Sequence, residues 1–304
     1  MPQSRTSRTK TRAAALSVAS NTTLVVAKTA VALATGSISI LSEALHSAND
    51  LLAAIMAFFA VRASSRPPDE AHRYGHGKFE SLSGTFEGLL VVGVAVMITW
   101  KAIPALMHEH HFKANVLGMG VMTLSAVLNL IVSRYLFHVA RRTHSLALEA
   151  DALHLSTDVY TSAAIVGGLI IVRFTAHIDP CFNIVDPLLA LAVAALIAWQ
   201  AAHLIRRGLS DLVDSALPRD ERGRIEQVLR EHQALGLSFH ELRSRRSGPA
   251  RDVDLHLELP SAMTVEQAHE VCDHLEQEIH SILPGSQVLI HVEPASSGNG
   301  SKRK

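Results

Sequence analysis

Two stretches of this chain repeat one arrangement of acids and imidazoles. The first reads Glu43-Ala-Leu-His46-Ser-Ala-Asn-Asp50 and the second Asp151-Ala-Leu-His154-Leu-Ser-Thr-Asp158. In each, a His precedes an Asp by four residues, which on an α-helix puts both on one face, one turn apart. Two such faces turned toward each other would offer two imidazole nitrogens and two carboxylates, the tetrahedral set that suits Zn²⁺. Both stretches lie in apolar segments. An Asp at the middle of a membrane helix costs about 2.5–3.5 kcal/mol, and neither segment carries a Lys or Arg near the motif to offset it. A divalent cation between the carboxylates would neutralise both. The rival reading, His and Asp hydrogen-bonded across a bundle with no ion, accounts less well for one spacing occurring twice. Glu43 and Asp151 each precede the His by three residues. They are outer partners of the ligands, lining of a watery approach, or groups solvated near a helix end, and spacing alone leaves these open. Asn129 suits interhelical hydrogen bonding better than ligation.

The elements that must carry these residues are long and apolar. Six stretches, 14–34, 38–61, 82–106, 116–137, 147–171 and 184–205, are each near the ~20 residues that a bilayer requires. They are too long for barrel strands, so helices are expected. Arg and Lys gather in the first twelve residues, in 62–78, in 141–144 and at Arg206/Arg207, while the alternate connections hold few. Positive loops stay inside, which predicts cytoplasmic termini. No small-residue cleavage site follows the basic start, so residues 1–12 are expected to form a cytoplasmic arm rather than a signal peptide.

Beyond about residue 209 the pattern changes. Residues 220–232 read as an amphipathic helix, 237–246 and 252–259 as strands, 264–282 as a helix with Thr264 and Gln267 at capping-box positions, and 288–292 as a last strand. The predicted organisation is an arm (1–12), a six-helix transmembrane bundle (13–208), a small cytosolic α+β domain of αββαβ order (209–294) and a disordered Ser/Gly/Lys-rich tail (295–304). The 304 residues carry zero formal net charge, which argues against a nucleic-acid partner. The two cysteines, Cys181 and Cys272, fall on opposite sides of the expected membrane, so neither a disulfide framework nor a CxxC metal knuckle is expected. Histidine, a common metal ligand, occurs 18 times.

Other candidates lie outside the bundle. After Pro67-Pro68 come Asp69, His72 and His76, whose spacings suit one helical turn with three converging ligands, or equally a charged loop. His240, His256 and His291 fall on the three strands, His269 on the last helix, and Glu293 shares a strand face with His291. Taken singly each is an ordinary surface residue; together the elements of one small fold could bring them to a site. His232, His274 and His280 match no motif and read as surface. The run His108-Glu-His-His111 reads as a solvated outer loop before a release site.

The two HxxxD phrases, the segment Asp69-x-x-His72-x-Tyr74-Gly75-His76-Gly77-Lys78 and the αββαβ unit together resemble the cation diffusion facilitator family, over nearly the whole chain to about Glu293. The resemblance implies a ferredoxin-like, metallochaperone-like cytosolic domain and a homodimer. It implies efflux of a divalent metal, zinc foremost, in exchange for protons, with His46, Asp50, His154 and Asp158 as the transport site. It also implies a lower-affinity site at Asp69, His72 and His76, a dimer-bridging metal cluster at His240, His256, His269, His291 and Glu293, and an ion pair of Lys78 with Asp214 between the domains. Where the family often has Asp at the last cluster position, this chain has Glu293.

The short loops, with no long His-rich insertion, fit a multi-pass protein of a bacterial inner membrane. Three alternatives stand beside zinc export. One is the same transporter with Fe²⁺, Co²⁺, Cd²⁺ or Mn²⁺ as main substrate, since such ligation disfavours Mg²⁺ and Ca²⁺ more. A second is a non-transporting membrane scaffold that binds metal. A third, a membrane metalloenzyme, conflicts with a four-ligand shell and no evident nucleophile or base.

Overall fold

The computed structural model describes residues 2–36, 38–105, 116–175, 185–233 and 237–295. The chain divides into two compact units, Met1–Leu209 and Ser210–Lys304.

Among the described residues the first holds α1 (Pro2–Thr35), α2 (Ile38–Ser64), α3 (Lys78–Ala105), α4 (Val116–Thr143), α5 (Leu146–Thr175) and most of α6 (Val185–Leu212). Among the described residues, α1 to α4 each hold a stretch long and apolar enough to cross a membrane. Parts of α5 and α6 have side chains outside the described residues. Leu33, Trp100, Leu124 and Trp199 are mostly exposed on the helices, an outward apolar surface that water would penalise and lipid would not. The inward surface is small-residue and tightly joined. Val61, Leu136, Leu148 and Leu155 unite α2, α4 and α5, and Val91, Leu153, Ile197 and Leu204 unite α3, α5 and α6. At Gly84 a Cβ would lie 3.0 Å from the Leu146 carbonyl oxygen, so α3 approaches the start of α5 as only glycine allows.

Residues 2–12, expected as a cytoplasmic arm, form the first turns of α1. Lys10 is buried there and its Nζ lies 2.5 Å from Glu80, in the first turn of α3. Ser64 at the end of α2 and Ser145 just before α5 also donate to Glu80. A buried carboxylate with three donors is satisfied, and satisfying it continues the helix through the polar residues of that arm.

The second unit runs α7 (Arg219–Gln233), β1 (Ser238–Ser247), β2 (Ala250–Leu259), α8 (Val265–Ile282), β3 (Ser286–Pro294). β2 lies between its neighbours, antiparallel to β1 and parallel to β3. A parallel neighbour needs a crossover, and α8 supplies it. Thr264 and Gln267 close a capping box at the start of α8. Alternation along β2 sends Val253, Leu255, Leu257 and Leu259 into a core with Ile225 and Leu229 of α7 and Cys272, Leu275 and Ile279 of α8. Asp254, His256 and Glu258 therefore face the other way. Glu221 of α7 bonds Arg251 of β2 at 2.9 and 3.0 Å and Arg246 of β1 at 2.8 Å. Burial works to raise its pKa, but the two guanidinium groups outweigh it and bring the carboxyl down to about 2. Cys272 is a free buried thiol, whereas Cys181 and the tail from residue 296 lie outside the described residues.

Candidate metal centre

Helical periodicity sets His46 and Asp50 one turn apart on α2, and His154 and Asp158 one turn apart on α5. The two helices face each other, and their pairs cross. His154 Nε2 lies 3.0 Å from Asp50 Oδ1, and His46 Nε2 lies 3.4 Å from Asp158 Oδ1. Ligand atoms of His46, Asp50 and Asp158 lie within 4.8 Å of one another, and His154 joins them through Asp50. Side-chain exposure rises from 4% at Asp50 and 11% at His154 to 19% at Asp158 and 44% at His46, so the cluster opens on the His46 side. Asn129 of α4 donates from Nδ2 to Asp158 Oδ2 at 3.3 Å, which holds that carboxylate from a third helix.

Two charged groups near these helices, Lys28 and Glu87, escape a reading confined to the HxxxD phrases. Lys28 of α1 is buried and donates to Ser47 Oγ at 2.8 Å, beside His46, so a fixed cation reaches the α2 motif from a neighbouring helix. Asp151 and Glu87 of α3 are fully buried, and their carboxylate oxygens have no hydrogen-bond partner among the described residues. A carboxylate in that state is costly unless it holds a proton or a cation. Spacing offered a signal for both additions. Lys28 interrupts an apolar stretch, and Glu87 follows Glu80 by seven residues on the same helical face. Glu43 belongs to α2, but its side chain lies outside the described residues.

Between α2 and α3 the segment is an irregular loop, the second of the two arrangements that its spacings allowed. Pro67-Pro68 supplies no backbone donors, and Gly75 turns the chain at φ 85°. The His72 carbonyl accepts from Gly75 at 2.9 Å and from Asp69 at 3.3 Å. Asp69, His72 and His76 still converge. Asp69 Oδ1 lies 3.3 Å from His72 Nδ1, Asp69 Oδ2 lies 3.3 Å from His76 Nε2, and the two rings stand 4.4 Å apart. The backbone N–H of His72 donates to Asp69 at 2.7 Å and is the main cause of its lowered pKa.

On the face of the second unit's sheet away from the helices, His240, His256 and His291 stand in register on β1, β2 and β3. Their ring centroids are 5.1 and 4.8 Å apart. Glu293 lies 3.0 Å from His256, 3.5 Å from His240 and 3.6 Å from His291. Glu258 and Glu241, which the sequence did not single out, approach the same rings at 3.9 Å. His269 is not brought to this cluster within the chain; it is mostly exposed and its near partner is Asp273 of its own helix. Lys78 opens α3 in the first unit, and Asp214, at φ 56°, lies in the second, 3.6 Å from Arg245. His274 and His280 are exposed, but His232 is not an open surface residue; its side chain is 12% exposed. The run 108–111 lies outside the described residues.

Residues 14–213 match the cation efflux transmembrane domain, and residues 217–295 match the cytoplasmic domain of cation efflux proteins. This chain belongs to the cation diffusion facilitator family. Among relatives of this facilitator, an uncharacterised transporter of Synechocystis sp. is 33% identical over 260 residues, covering 86% of this chain and 82% of the relative. The cation-efflux pump FieF of Cronobacter sakazakii is 34% identical over 262 residues, covering 86% and 85%. A solved structure of the zinc form of the transporter CzrB aligns at 36% identity and a TM-score of 0.27, covering 29% of this chain and 99% of that one. The facilitator is thus an integral membrane cation-efflux transporter, a non-enzymatic class, and its cytoplasmic domain points to a homodimer.

Proposed function

We propose that this transporter exports zinc from the cytosol in exchange for protons through a four-ligand site of His46, Asp50, His154 and Asp158. The supporting observation is the crossed pairing of the two helices, 3.0 Å at His154/Asp50 and 3.4 Å at His46/Asp158. Side chains that already meet need only small rotations to surround a Zn²⁺ ion at about 2.0–2.2 Å. The donor set, two imidazoles with two carboxylates, favours zinc over harder cations. Ligand nitrogens must lose their protons to bind, so metal and protons compete for the same atoms. Zn²⁺ enters from the cytosol, displaces protons from His46 and His154, and leaves outward as protons return. Lys28 and the crossed pairs reduce the cost of the metal-free cage, and Asp151 lies one turn nearer the start of α5, where it lines or supports the ligand group together with Glu43.

In this reading six helices span a bacterial inner membrane with both termini cytoplasmic, and a ferredoxin-like αββαβ domain follows from about residue 209. Asp69, His72 and His76 form a lower-affinity site where metal arrives. The sheet cluster, joined by His269 across a dimer, is the bridging site, and Lys78 with Asp214 ties the two domains. Zinc flux in proteoliposomes under an imposed pH gradient tests the central claim. Flux should track the gradient, and Asp50→Ala or Asp158→Ala should abolish it while the protein stays folded. Flux indifferent to the gradient would sink proton exchange, and faster flux of Fe²⁺, Co²⁺, Cd²⁺ or Mn²⁺ would reassign the substrate. Metal binding without flux would leave a scaffold.

A further inference from the structure

The second unit holds another group of ligand-type side chains, on its helical side. His232 stands in the last turn of α7. His274 and Glu278 are four residues apart on α8, hence on one face of that helix. His274 Nε2 lies 3.2 Å from Glu278 Oε1, and His232 Nδ1 lies 3.8 Å from Glu278 Oε2. The two imidazole rings stand 5.8 Å apart at 60°. One ligand atom from each of the three residues falls within 4.8 Å of the others. Tetrahedral bonds of 2.0–2.1 Å hold donors about 3.3 Å apart, so side-chain rotation alone closes the remaining gap.

His–Glu pairs four apart on a helix are common on protein surfaces, and His274 with Glu278 alone would be one of them. His232 makes the difference. It comes from a second helix, its side chain is only 12% exposed, and its Nδ1 meets the Val228 carbonyl at 3.0 Å. The same Nδ1 is the atom 3.8 Å from Glu278, so binding a metal requires His232 to exchange its carbonyl contact for the ion or to turn its ring and present Nε2. In the second case the bond to Val228 would hold ring and tautomer from outside. The Glu278 carboxylate supplies the one negative charge, and a fourth position is left for water.

From this geometry we propose that His232, His274 and Glu278 form a divalent transition-metal site, for zinc or a chemically similar cation, separate from the sheet cluster. The separation follows from the layering. α7 and α8 cover one face of the sheet, and His240, His256, His291 and Glu293 occupy the other, with the leucine layer of β2 between them. Neither site shares a ligand with the other, so each fills on its own. A metal here pins the C-terminal end of α7, next to the connection into β1, to the middle of α8.

The test counts metal on the full-length protein in detergent, stripped and then dialysed against micromolar Zn²⁺. His274→Ala and Glu278→Gln, both at solvent-accessible positions, should each lose one zinc equivalent per chain relative to the parent protein. A second variant guards against misfolding as the cause. His274→Cys keeps a metal ligand, so it should retain the parent stoichiometry and, loaded with Co²⁺, show thiolate-to-cobalt charge-transfer absorption. An unchanged zinc count in His274→Ala and Glu278→Gln would overturn the proposal. So would a Co²⁺-loaded His274→Cys protein without that band, or an equivalent that appears only at millimolar zinc.

Discussion

Asp50 and Asp158 carry the same chemistry in unlike surroundings. Asp50 is nearly sealed and meets His154, while Asp158 is part-open and is held by Asn129 at 3.3 Å. A hydrogen bond that orients a ligand from outside is typically worth 10–100-fold in metal affinity or activity. Asn129→Ala should therefore lower zinc flux about 10-fold or more by raising the half-saturating zinc concentration, without abolishing transport. Concentration-dependent flux in proteoliposomes separates this from the complete loss expected for Asp158→Ala. The HxxxD pairs were legible in the sequence because four-residue spacing is a property of one helix. Which helix supplies a neighbour is not local. Lys28, Asn129 and Glu87 reach their positions only through the packing of α1, α4 and α3 around α2 and α5, and His232 and His274 meet only because two helices share one sheet face.

At the scale of elements, two buried ion pairs set the geometry. Lys10→Ala leaves Glu80 as an uncompensated buried charge and should cost about 3–5 kcal/mol. Trp100 and Trp199 both belong to the first unit, so thermal melting followed by tryptophan fluorescence in detergent reads that loss. In the second unit Glu221 is held near a pKa of about 2 against an ordinary 4.5. A depressed acid contributes its stabilisation fully above the ordinary value and loses it as pH falls toward 2. The protection of the β2 amides, the intrinsic exchange rate divided by their observed rate at the same pH, should thus be flat above about pH 5 and fall as the pH drops below that. Glu221→Gln should remove that acid limb and weaken the unit by about 2–3 kcal/mol, between the values for exposed and fully buried pairs. Strand alternation and the Thr264 cap were readable beforehand, since both are short-range rules. The extension of α1 through residues 2–12 was not, because Lys10 is stabilised by a residue seventy positions away.

Across the whole molecule, chemistry is divided between two compact units with separate cores. The sheet cluster draws on three strands, so its assembly requires the complete second unit and none of α1 to α6. His256→Ala with Glu293→Gln should lower zinc-dependent dimer stability while leaving the residues of the membrane cage untouched. Analytical ultracentrifugation with and without a chelator measures this, and an unchanged metal response would show that the strand histidines do not bridge copies.

Glu80 receives donors from α1, from the end of α2 and from the start of α5 while itself opening α3. Rods bolted at a common corner cannot tilt one by one; they swing as a single lever. If the proposed transport site is uncovered first to one side and then to the other, the flexing is expected farther along the shafts, beyond that corner and nearer His46 and Asp158.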